Sequence, residues 1–107
     1  MSQVAATEFW RKFPGADLVD QGLADVASAK ITPAACAIWI ALPRLQRAGL
    51  VPERLAAGAI PEPERALYRL LRQEGGNAYG RYNALLRVLA SFEHALDHAV
   101  GGTSDGR

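Results

Sequence analysis

Between Pro33 and Pro43 the chain reads PAACAIWIALP, with no polar side chain in the run, and arginines follow at 44 and 47. The run is about half of the roughly 20 residues needed to span a bilayer, so its apolar surface is expected to be covered by protein, not lipid. Thr32 followed by Pro33 predicts a helix start: a hydroxyl cap, then a proline whose missing N–H is not needed in the first turn. On a helical projection Ala34, Ala37 and Ala41 collect on one side, while Ile38, Trp39 and Leu42, with Cys36 and Ile40 further round, cover most of the remainder. The small side admits another helix at close range and the large side fills a core. This is therefore the expected central helix, packed against a stripe at 18–26 and a long C-terminal seam. Trp39 and Ile40 point away from the alanine side and are expected to reach past the core to a partner.

The remaining segments read as helices separated by proline and glycine. Phe9, Trp10 and Phe13 share one side of a short first helix, with Ala5 and Ala6 one turn earlier, and Pro14–Gly15 ends it. Asp17 is read as the N-cap of a second helix whose apolar stripe is Leu18, Val19, Gly22, Leu23 and Val26, with Asp20, Gln21, Asp25 and Ser28 facing away. Pro43 denies Trp39 its carbonyl's partner and disfavours helical geometry at Leu42, so a kink or a break is expected there, with a short segment over 43–48 beyond it. Gly49 and Leu50 then suit a Schellman stop in which Leu50 folds back on Leu45. Pro52 opens a brief turn that Gly58 closes. From Pro63 to about Gln73, Leu67, Leu70 and Leu71 share a face opposite Arg65, Arg69 and Arg72. After a break at Gly75–Gly76, Asn77 caps the longest helix, which is expected to reach about Ala99 along the seam Tyr82, Leu85, Leu89, Phe92, Leu96.

No stretch alternates with period two, so the expected fold is all-α: a compact, irregular, orthogonally packed bundle of about five main helices plus short turns, with no β-sheet. A single domain over 1–100 and a disordered tail over 101–107 complete that reading.

The bulk charge narrows what the chain can bind. Lys and Arg number 12 against 11 Asp and Glu, so no global field draws in nucleic acid or an anionic membrane. Residues 43–72 nevertheless hold six Arg and three Glu, a local +3, while the segments on either side are each −1. Arg65, Arg69 and Arg72, spaced to share one helix edge near Tyr68 and Tyr79, are the candidate contacts to phosphates. Arg81, one turn into the helix that opens at GGNAYGRYN, is a candidate anion ligand beside exposed helical N–H groups.

Catalytic and metal chemistry find less support. His94 and His98 stand four apart, as metal ligands do, but project with Asn83, Arg87 and Ser91 onto the solvated side and lack further ligands. Cys36, the single cysteine, is flanked by Ala35 and Ala37 with no base beside it, which predicts a buried and inert thiol. No phosphate loop, nucleophile elbow or metalloprotease motif occurs. A helix-turn-helix reading of residues 23–40 fails because the second helix would offer alanines and isoleucine to base edges. No cofactor is expected. Neither a secretory signal nor a membrane span is read in MSQVAATEFWRKFPG, and a single thiol suits a reducing cytoplasm. The expected function is a small, non-enzymatic helical interaction or regulatory module binding a protein partner or itself. The alternative is a nucleic-acid or anion-binding module using the arginine stripe.

Overall fold

The computed structural model describes residues 9–51 and 58–104, with residues 100–104 described as backbone only. Among the described residues a 3₁₀ turn, Phe9–Lys12, precedes five α-helices: α1 (Ala16–Ala27), α2 (Pro33–Ile40), α3 (Leu42–Arg47), α4 (Pro63–Glu74) and α5 (Ala78–Ser104). Among the described residues there is no strand, so the all-α bundle expected from the sequence is the fold. Ala5, Ala6 and the turn expected after Pro52 lie outside the described residues.

The apolar run is the centre of the molecule. Ala35, Cys36, Ala37 and Ile38 are buried, and α2 packs on α1, α4 and α5. Its small side meets α1 at Gly22. A Cβ on Gly22 would sit 2.4 Å from the carbonyl oxygen of Ala34 and 2.5 Å from Cγ1 of Ile38, so the two helices cross at backbone contact. Thr32 caps α2 as expected, its Oγ1 accepting from the Ala35 N–H at 3.1 Å. The break ahead of Pro43 falls at Ala41, where the chain leaves α2 and re-enters helix as α3. The Schellman stop is also present: Leu50 N–H donates to the Leu45 carbonyl and Gly49 N–H to that of Gln46.

Two features of α1 differ from the sequence reading. The helix begins at Ala16, and its cap position is Gly15 in the left-handed region (φ 84°), with no side-chain cap from Asp17. The cause is tertiary. Gly15 lies on α5, where a Cβ would come within 3.0 Å of both Cγ1 and the carbonyl oxygen of Val88. Asp17 is left exposed in the first turn, where a carboxylate still favours the helix dipole. The second difference is Asp25, expected to face solvent but only 7% exposed. It lies over the start of α2, where the Thr32 hydroxyl donates to its Oδ2 at 2.6 Å and Gln21 Nε2 donates to its Oδ1 at 3.0 Å. Thr32 Oγ1 thus accepts from α2 and donates to α1, tying the helix pair together.

The end of α1 predicts a stabilising substitution. Ala29 N–H donates to the Val26 carbonyl and Lys30 N–H to that of Asp25, a second Schellman motif, but with Ala29 held at φ 60°. An L-residue in this region is strained by about 1–2 kcal/mol, which glycine avoids at some entropic cost. Ala29→Gly should therefore raise the unfolding free energy by about 0.5–1 kcal/mol, read as a higher midpoint in urea with an unchanged slope.

At the C-terminal end α4 runs Pro63–Glu74 with Leu67 and Leu71 fully buried and Leu70 half-buried. Asn77 caps α5, its Oδ1 accepting from the Gly80 N–H at 3.0 Å. Leu89, Phe92 and Leu96 are buried along the expected seam, with Tyr82 and Leu85 half-buried. Phe92 is also the anchor of the N-terminal aromatics: the rings of Trp10 and Phe13 each lie 5.9 Å from its own. α5 continues to Ser104, past the end expected near Ala99. Glycines at 101 and 102 weaken a helix by about 1 kcal/mol each relative to alanine but do not remove the N–H groups that extend it. The part of the expected tail from 101 to 104 is therefore helical backbone, and residues 105–107 lie outside the described ones.

Candidate interaction surfaces

The arginine stripe of α4 lies on an exposed edge, as expected, but its members are not equivalent. Arg65 Nε is 3.3 Å from Glu62 Oε1, whereas Arg69 and Arg72 are exposed and no carboxylate among the described residues pairs with them. Tyr68 is not an open stacking face: its ring packs edge-on against Tyr82 of α5 at 5.6 Å, holding α4 to α5. Tyr79 is 67% exposed and borders, with Arg72, Asn77 and Gly76, a polar groove at the α4–α5 corner.

Arg81, expected as an anion ligand, is engaged within the chain. Its guanidinium pairs with Glu74 and donates to the Gly75 carbonyl, closing the turn between α4 and α5. That turn brings the last carboxylate of α4 back over the first turn of α5, a proximity that no sequence spacing discloses. Arg44 is similarly occupied, pairing with Asp97 and lying 3.9 Å from Glu93 Oε2, both on α5.

Glu93 lies in this cluster between Arg44 and Asp97. Burial raises its pKa above the usual glutamate range, Arg44 opposes the shift and Asp97 reinforces it. A raised folded-state pKa means that the native chain holds this proton more tightly than the unfolded chain. Its stabilising contribution is complete below the ordinary glutamate pKa and is lost as pH rises through the raised value. Urea titrations of wild type and Glu93→Gln should show this directly. The stability of wild type relative to the variant is expected to be greatest at acid pH and to decline toward neutrality.

The two residues expected to reach a partner are withdrawn from the surface of the single chain. Trp39 is 8% exposed and Ile40 is half-buried against the core. α1, α4 and α5 all pack on α2, which leaves only Pro33, Ala34 and Ile40 partly exposed along it. Cys36 is fully buried, and desolvation pushes its thiol up to about 11, which leaves it protonated and unreactive at neutral pH. His94 and His98 are both exposed on α5, and among the described residues no group of three or more His, Cys, Asp or Glu side chains could hold a metal.

Besides Ile31, which is 56% exposed just ahead of α2, apolar surface is left open among the described residues where the turn after the 3₁₀ segment crosses α5. Pro14 borders a shallow, mostly apolar groove of about 560 Å³ with Arg87, Ala90, Ser91, His94 and Ala95. On the other side of the same turn, Phe13, Leu18 and Val88 line a second depression with Arg11 and Asp17 at its rim. Val88 is 39% exposed, and so is Phe9 at 40%, standing edge-on to Phe13. The sequence signal for this surface was present in the alanines and Val88 on the outer half of α5. Asn83, Arg87 and Ser91 share that half and hide the signal among polar side chains.

No protein-family model matches the chain, and comparison with curated proteins and with solved structures finds no match. Among the described residues no helix is long and apolar enough to cross a membrane. The class defined by the fold is an irregular all-α domain.

Proposed function

We propose that the chain is a small, non-enzymatic helical interaction module that binds another protein or a second copy of itself. The observation that carries this reading is the uncovered apolar surface around Pro14 on α5, where Val88, Ala90 and Ala95 lie beside exposed cations. Open apolar grooves bordered by polar groups are the usual receiving surfaces for partner helices. A cytoplasmic location belongs to the same reading, supported by the single buried thiol. The test is recovery of the tagged chain from its host's lysate, with and without nuclease, alongside sedimentation velocity of the purified chain. A protein recovered in stoichiometric amount under both treatments, or a concentration-dependent dimer, supports the reading. Empty recovery together with a monomer at high concentration overturns it.

A second reading is favoured by Arg69, Arg72 and the exposed Tyr79: single-stranded nucleic acid held by phosphate contacts and ring stacking. The logarithm of its affinity should fall with the logarithm of salt by about 0.7 per phosphate contact. Replacing Arg69 and Arg72 with alanine should therefore flatten the slope by about 1.4. Absence of binding to mixed DNA and RNA at low salt removes this alternative.

A further inference from the structure

We infer that the groove beside Pro14 on α5 docks an acidic amphipathic helix belonging to a different protein, an inference that rests on the interaction-module reading above. The floor is apolar and shallow, made by Pro14, Ala90 and Ala95 with Ser91 between them. The lining residues 87, 90, 91, 94 and 95 recur every three to four positions, so this open side runs along α5 for roughly 12 Å, or about two turns of helix. Strand addition has no template here, because no sheet edge exists among the described residues. A straight furrow of small side chains along a helix instead accepts the larger apolar side chains of a second helix.

Charge selects the occupant. Arg87 and His94 border the furrow, both exposed, and no carboxylate among the described residues pairs with Arg87. The two carboxylates in this half of α5, Glu93 and Asp97, are turned to the other flank and face Arg44 of α3. From the turn that crosses α5, Arg11 pairs with Asp20 and Lys12 is exposed, while Asp17 belongs to the neighbouring depression. Among the described residues the side chains lining the furrow thus supply the Arg87 cation and no acid. Two copies docked through this face would each bring Arg87 to the contact with no carboxylate among the described groove residues to meet it, which opposes self-association here. Nucleic acid would meet no aromatic ring in the groove on which to stack. A partner helix with an apolar stripe and Asp or Glu along its flanks satisfies both floor and border.

The test uses the full chain and three fluorescent probes. One is a helical peptide of about 18 residues with a leucine stripe flanked by glutamates, one is its counterpart with lysines for the glutamates, and one is an oligothymidylate. Saturable binding of the acidic peptide is expected, weakened about tenfold by Arg87→Glu and unchanged by Arg69→Glu on α4. Amide shifts on binding should centre on Ala90, Ser91, His94 and Ala95. Equal affinity for the two peptides, no saturable binding of the acidic one, shifts centred elsewhere, or an oligothymidylate signal abolished by Arg87→Glu each overturns the inference. If the acidic peptide fails while a protein is still recovered from the lysate, this surface assignment falls and the module reading stands. If both fail, both fall.

Discussion

Gly22→Ala is expected to lower the unfolding free energy by about 2–3 kcal/mol, although alanine is the better helix former. The two effects oppose each other. In an exposed helix interior the same change stabilises by about 1 kcal/mol, because glycine loses more backbone freedom on folding. At position 22 the added methyl would meet a carbonyl oxygen at 2.4 Å, and that oxygen belongs to the α2 backbone, which cannot rotate aside. Either α1 shifts along α2, breaking the Asp25–Thr32 bond, or the helices separate and leave voids around Ile38. Chemical denaturation followed by far-UV circular dichroism measures the loss. Gly22→Val, which adds two more methyl groups to the same contact, should abolish the cooperative transition. A Gly22→Ala variant as stable as wild type would show that the helices do not cross at backbone contact.

Trp39 separates core from interface. Its ring is 8% exposed and its Nε1 is buried with no hydrogen-bond partner among the described residues. Trp39→Ala should lower stability by about 3–5 kcal/mol, the usual result of emptying a large aromatic site in a core. Trp39→Phe is expected to lie within about 1 kcal/mol of wild type, because it removes an unpaired buried donor while giving up only part of the packing. Trp39→Asp should prevent folding by burying a charge with no partner. These outcomes are read by thermal and urea unfolding at two protein concentrations. A Trp39→Asp chain that folds and merely stops self-associating would mean that the ring sits between subunits and not within one.

These expectations rest on particular elements that local chemistry made visible. Thr32–Pro33, Asn77, Gly49–Leu50 and Pro43 each act through backbone groups within about one turn of themselves, so helix starts, stops and the break before α3 follow from short-range steric and hydrogen-bonding rules. The buried seams at Val19, Leu67, Leu71, Leu89, Phe92 and Leu96 were likewise legible, since apolar spacing at 3.6 residues needs only the helix itself. Asp17 and Asp25 depart from their local signals for one reason. Each competes between solvent and a contact across the fold: Gly15 on α5 moved the helix start, and Thr32 drew Asp25 into the interior. Arg81 and Arg44 follow the same pattern, because Glu74 and Asp97 reach them only after the helices have turned back on one another.

From its own spacing, then, the chain determines that it forms helices, where most of them begin and end, which faces are apolar, and that the 33–43 run lies at the centre. Tertiary structure alone decides which arginines remain available, that Trp39 is buried and Ile40 half-buried in the single chain, and that an open apolar surface lies beside Pro14. The physical reason is range. Caps, breaks and periodicity are set by interactions over a few residues, whereas ion pairing and solvent exposure depend on which distant segment arrives opposite, as Arg44 and Asp97 do across 53 positions of chain.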